Sequence, residues 1–154
     1  NVPGAAGLDR AREAGVEALT LDHKPYGKDR EAFERDLDHL LVLRNIEIVA
    51  LAGFMRVLTP FFVRAWAGRL VNIHPSLLPK YPGINTHARA LEAGDAAHGA
   101  TVHLVVEEVD AGEIIGQASM PILAGDTPET LAQRLLEVEH KLYPECLAKL
   151  ARQL

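Results

Sequence analysis

A single cysteine, Cys146, leaves the 154-residue chain without an internal disulfide. Its Leu-rich, helix-forming surroundings predict a buried thiol acting as a small hydrophobe. A reducing, cytoplasmic setting is the expectation that follows. Long apolar runs are also lacking. None approaches the ~18 residues that suggest a membrane span, and the best stretch, residues 46–58, carries Glu47 and Arg56. No membrane partner is expected. Positive charge is outnumbered, with 16 Lys and Arg against 21 Asp and Glu and a net charge of -5. That balance argues against a nucleic-acid footprint. It leaves room for a phosphorylated small molecule, because a few local donors hold one phosphate. Seven histidines are present, but without the H-x-x-x-H or C-x-x-C spacings of zinc sites, so no metal is expected. Ser76 has no G-x-S-x-G context, and Gly4 with Gly7 is not a dinucleotide fingerprint.

What is present suits one domain with a proper core. Ala5 to Ala14 has helix-forming composition, and Gly15 is a natural stop. Residues 16–21 alternate weakly, as a strand would. Asp29 is placed to cap a helix carrying Phe33, Leu37, Leu40, Leu41 and Leu43. The run 46–53, I-E-I-V-A-L-A-G, reads as a strand buried on both sides. Thr59-Pro60 opens a short helix, and 70–74 is a strand. His87 to Ala93 is a short helix stopped by Gly94. Residues 100–109 and 113–122 read as an antiparallel hairpin across Asp110-Ala111-Gly112. Asp126 and Glu129 are spaced as a capping box for a last helix striped by Leu131, Leu135, Val138 and Leu142. Pro144 is expected to kink or break that helix. The order predicts an α/β fold, mainly parallel, with a late antiparallel hairpin and flanking helices.

The stretch N-I-H-P, residues 72–75, places an amide and an imidazole on one face of a strand, because residues two apart share a face. Pro75 then ends the strand. Strand ends are where open α/β sheets bind ligands, although a packed His in a Pro-rich turn satisfies the same local pattern. If the strands run parallel, Asn72, His74 and Asp110 converge at one edge. An Asn N–H donates to a developing oxyanion. A His beside a carboxylate is favoured in its protonated form, ready to donate a hydrogen bond or a proton. The matching reaction is direct attack by an amine or water on a bound carbonyl. Taken alone, Asp110 equally well starts the Asp-Ala-Gly turn. His103 is expected as a packed His near this cluster.

These residues carry a resemblance. L-A-G-F-M-R-V-L, N-I-H-P-S-L-L-P-K-Y-P-G, T-H-x-x-A-L-E-A-G-D and H-G-A-T-V-H-L-V-V-E-E-V-D-A-G are similar to the phosphoribosylglycinamide formyltransferase family, over essentially the whole chain. The N-x-H and later Asp are shared with methionyl-tRNA formyltransferases and formyltetrahydrofolate deformylases. The resemblance implies a single-domain, Rossmann-like formyltransferase fold. It also implies formyl transfer from 10-formyltetrahydrofolate, a reduced-folate co-substrate, to the amine of glycinamide ribonucleotide in purine biosynthesis. It assigns His74 as the acid, Asn72 as the holder of the formyl oxygen, and Asp110 as the partner that keeps His74 protonated. The folate pocket matches Met55, Arg56, Val57 and Leu58, the loop Val106, Glu107, Glu108, Val109 and Asp110, with Asn72, and a basic position at Arg30. Leu136, Glu137, Val138 and Glu139 match the acceptor-binding region. Arg30 also reads as a solvated helix-start charge, and Glu139 as a surface carboxylate.

The family begins with a strand, a glycine-rich phosphate loop and a helix. This sequence starts on N-V-P-G, after that β-α-β segment, so a piece of a longer chain is expected. Two other functions fit the same residues: a formyltetrahydrofolate hydrolase using water, and a folate-binding module without catalysis. A monomer or a homodimer is expected.

Overall fold

The structure, a computed structural model, describes all 154 residues and divides into two compact units. The first comprises Asn1–Ile46 and Phe54–Phe62, the second Glu47–Gly53 and Val63–Leu154. In the first unit, helix α1 (Ala6–Glu13) ends before Gly15, whose φ of 73° lies where glycine is at ease. Residues 16–21 form no strand; Val16 and Leu19 are exposed, and extended chain without a ladder partner has nothing to hold it. A single 3₁₀ turn at Lys24–Tyr26 precedes helix α2 (Arg30–Leu43). Asp29 caps α2 by accepting the Ala32 N–H, as its position predicts. Phe33 is buried and meets the Tyr26 ring edge-on at 5.6 Å, while Leu43 is left exposed.

The second unit holds a four-stranded sheet in the order β1 (Val49–Leu51), β2 (Leu70–His74), β3 (Ala97–Leu104), β4 (Ile114–Pro121). Helix α3 (Pro60–Ala65) begins in the first unit and ends in the second, and α4 (Thr86–Glu92) lies between β2 and β3. The α/β class and the hairpin stand. The pairing is mixed rather than mainly parallel: β1 and β2 run parallel, while β2–β3 and β3–β4 are antiparallel. The run 46–53 contributes only three strand residues, with Ala50 exposed, because β1 is paired on one side alone. The strand read at 100–109 starts earlier and stops at Leu104, leaving 105–109 as loop.

Helix α5 (Pro128–Ala151) runs unbroken through Pro144. Cys146 and Leu150, beyond the proline, are buried in one core with Leu131, Leu135, Leu142, Val71, Ala100, Val102 and Met120. That burial outweighs the hydrogen bond a helical proline removes. Cys146 is the small hydrophobe its context predicts, and burial pushes its thiol up. The capping box is formed by Thr127 and Thr130, one residue later than expected. Asp126 is drawn off by Arg134 at 2.6 Å and by the Leu123 N–H at 2.7 Å. No helix is long and apolar enough to cross a membrane.

Candidate active site

Strand β2 alternates as its sequence requires. Val71 and Ile73 pack on the core beneath α5, so Asn72 and His74 take the opposite face. Antiparallel pairing sets His103 opposite Asn72 and Thr101 opposite His74. The four side chains therefore share one face of the sheet.

His74 is 5% exposed, and both its ring nitrogens are engaged. Nε2 lies 2.8 Å from the Tyr81 carbonyl oxygen, and Nδ1 lies 3.4 Å from Asp110 Oδ2. A carbonyl and a carboxylate are both acceptors. Both contacts are hydrogen bonds together only when the ring carries a proton on each nitrogen. Asp110 reaches His74 by a route that parallel strand ends do not supply. Strand β3 leaves the sheet beside Val71, at the far end of β2 from His74, and the loop 105–112 brings the carboxylate back. Asp110 adopts φ 54°, a conformation that Asp tolerates better than most residues. Its Oδ2 accepts the Gly83 N–H at 2.8 Å. Asp110 is the third residue of a turn over Glu108–Ala111, not the first residue of an Asp-Ala-Gly turn, and its carboxylate faces His74.

His103 belongs to the same cluster. Its Nδ1–H donates to the Leu104 carbonyl at 2.9 Å, which leaves Nε2 to accept from Asn72 Nδ2 at 3.4 Å. Nε2 also lies 3.6 Å from Asp110 Oδ1. His103 thereby turns the amide nitrogen of Asn72 toward the imidazole side. Its position opposite Asn72 depends on strand register, which the local sequence does not display. The Tyr81 carbonyl and the Gly83 N–H were likewise not foreseen, being backbone groups of the loop after Pro75. That loop is tied down at several points. Ser76 Oγ donates to the Lys80 carbonyl at 2.6 Å, and Tyr81 Oη donates to Asp95 at 2.7 Å. Arg89 donates to the Pro82 carbonyl at 2.6 Å.

Arg30 donates to the Val57 carbonyl at 3.0 Å, so it is more than a solvated helix-start charge. Met55 is 86% exposed and Val57 63%, while Arg56 and Leu58 are half-buried. In the second unit Val106, Glu107, Glu108 and Val109 are all exposed, and Glu107 pairs with Arg64 at 2.6 Å.

The run Leu136–Glu139 cannot face one ligand, since four helical residues turn through most of a circle at ~100° each. Leu136 and Glu139 share a flank with Tyr143. The Tyr143 hydroxyl lies 2.6 Å from the Leu51 carbonyl and 3.1 Å from that of Val71, beside Asn72. Burial raises the Tyr143 phenol well above its ordinary range and also pushes the Glu139 carboxyl up. Glu137 and Val138 lie on the other flank, lining a shallow groove with Gln117, Met120 and Lys141 of β4 and α5. No cluster of three metal-ligating side chains exists.

The amide, imidazoles and carboxylate of this cluster can stabilise an oxyanion and supply a proton. Residues 1–147 match the formyl transferase family. The phosphoribosylglycinamide formyltransferase of Escherichia coli K12 is 49% identical over 144 residues, covering 94% of this chain and 68% of that protein. The trifunctional purine biosynthetic protein adenosine-3 of Drosophila melanogaster is 50% identical over 150 residues, 97% of this chain. The chain spans only 11% of that much longer protein. Among solved structures, phosphoribosylglycinamide formyltransferase from Brucella melitensis superposes with a TM-score of 0.90 at 46% identity. That match covers 97% of this chain and 76% of the other. The chain belongs to the formyl transferase family.

Proposed function

We propose that this chain carries the formyl-transfer site of a phosphoribosylglycinamide formyltransferase, acting in de novo purine (IMP) biosynthesis in the cytoplasm. The donor is 10-formyltetrahydrofolate and the acceptor the primary amine of glycinamide ribonucleotide. The observation that carries the reading is His74, buried and held between two acceptors with Asn72 beside it on the same strand face.

The amine nitrogen attacks the formyl carbon, a C–N bond forms, and the carbonyl electron pair moves to the formyl oxygen. Asn72 Nδ2–H and a proton of the His74 ring stabilise that oxyanion. Nδ1 faces the Asp110 carboxylate at 3.4 Å, so Nε2, now against the Tyr81 carbonyl, is the ring nitrogen that can turn to the substrate. The attacking nitrogen gives up a proton. The intermediate then collapses by breaking the bond to N10, which leaves protonated, and charge and protons balance. Asp110 stabilises the cationic ring throughout.

Residues Met55 and Val57 offer uncovered apolar surface for the donor. Arg30 suits the carboxylate tail of the folate. On α5 the acceptor assignment narrows to Glu139 and Leu136, because Glu137 and Val138 belong to the opposite flank.

The test is formyl transfer with a 10-formyl folate donor, with and without glycinamide ribonucleotide, for the protein and for His74→Ala. Transfer that requires the ribonucleotide and falls by 10² to 10⁴, an order-of-magnitude expectation for loss of a general acid, supports the reading. Release of formate without any acceptor indicates a hydrolase. Turnover that survives His74→Ala sinks the assignment.

A further inference from the structure

Helix α2 turns Arg30, Phe33 and Glu34 to one face, because residues three and four apart stack along a helix. Each meets a different residue of the segment after Phe54. Arg30 holds the Val57 carbonyl. The Arg56 guanidinium lies 5.3 Å from the centre of the Phe33 ring. Glu34 accepts the Thr59 N–H at 2.8 Å through one carboxylate oxygen and the Thr59 hydroxyl through the other. Glu34 is 2% exposed. The hydrogen bonds it accepts all come from Thr59.

Burying a carboxylate is unfavourable, and apolar residues of the same volume often stabilise a fold better. A buried acid that spends its hydrogen bonds on one residue at the end of a loop therefore fixes geometry more than it adds stability. We infer that Glu34 is a positioning residue for the donor-binding segment Met55–Leu58. It clamps the C-terminal end of that segment, while Arg30 clamps its middle. Held in this way, Met55 and Val57 keep their apolar surface turned outward. The inference rests on the reading that this segment receives the folate donor. A segment ordered beforehand loses little freedom when ligand arrives. Glu34 therefore acts on donor affinity and leaves the chemical step alone.

The experiment compares the protein with Glu34→Gln, Glu34→Ala and Thr59→Val, varying donor and ribonucleotide separately. Glu34→Ala is expected to raise the donor KM about tenfold, the effect of losing one hydrogen bond to a charged group. Both kcat and the ribonucleotide KM should stay within about twofold, since uniform binding of one substrate is all that is lost. Glu34→Gln keeps the volume and one acceptor oxygen, so it should fall between. If Glu34→Ala does not fold, Gln and Thr59→Val carry the same comparison. Amide hydrogen exchange over residues 55–59 should rise in each variant. A drop in melting temperature with an unchanged donor KM overturns the inference, as does an equal rise in both KM values. If the wild-type protein transfers no formyl group, the functional reading fails by itself. The exchange data then decide separately whether Glu34 holds the segment, and unchanged exchange would mean it does not.

Discussion

Lowering the pH should destabilise this protein through one histidine, and the size of the effect follows from the structure. His98, on β3, is 1% exposed. It shares a 3.0 Å hydrogen bond with His87 of α4, the two rings meeting edge-on. Burial first, and the His87 ring second, hold the His98 imidazole at about 4. Asp95 pulls the other way and His74 adds a smaller downward push. In the unfolded chain the same ring titrates near its ordinary ~6.5. Between those values the unfolded chain binds a proton that the folded chain refuses. Stability is therefore fully present above ~6.5 and lost as pH falls toward ~4. The gap corresponds to roughly 3 kcal/mol, a large share of a typical domain's 5–15 kcal/mol. The assay is urea unfolding followed by circular dichroism, from about pH 7 to about pH 4, for the protein and for His98→Gln. Carboxylates such as Asp126, held low by Arg134, add an acid loss common to both proteins. The difference between them isolates His98. The wild-type advantage should shrink by roughly 3 kcal/mol across the window. A difference that stays flat with pH refutes the reasoning.

Asp110→Asn keeps an oxygen for the Gly83 N–H but removes the charge facing His74. Its turnover should fall on the order of a hundredfold with melting little changed; turnover near wild type would remove Asp110 from the proton chemistry. Gly112→Ala should destabilise the protein by at least about 2 kcal/mol, because a Cβ there overlaps the Leu104 carbonyl, backbone that cannot swing aside. Thermal melts that coincide with wild type would show that the hairpin turn has more room than the structure gives it.

Local signals in the chain were readable wherever the partner lay close in sequence. Asp29 caps α2 through Ala32, three residues on. Strands β3 and β4, neighbours in sequence, pair antiparallel across the loop 105–113. The stripe on α5 follows the helical period and packs as the period requires. Reading failed where a distant group decided the outcome. The residues of β2 fit a parallel or an antiparallel neighbour equally well, and β3 supplies an antiparallel one. Asp126 has the side chain of a capping residue, yet Arg134, eight positions later, claims its carboxylate and passes the cap to Thr127. Pro144 carries a strong local penalty, and burial of Cys146 and Leu150 overrides it.

The same division runs through the site. The pair Asn72 and His74 was legible because the two-residue period of a strand is local. Asp110 was legible as a residue type, but the route that returns it to His74 was not. That route is a loop with a left-handed residue, and it arrives from the opposite end of the strand. His103 became part of the site through register, which is a property of two strands and of neither alone. Tyr81 acts through a carbonyl, a group every residue carries, so no side-chain pattern announces it. Glu34 is the hardest case. An acidic residue on an amphipathic helix reads as solvated, and only the fold reveals that its carboxylate is sealed against Thr59. Substitutions at residues of this last kind are the sharper probes of how the site is held. Under the proposed function, a defect at His74 would report on the reaction, whereas a donor-specific defect at Glu34 would report on the scaffold that prepares it.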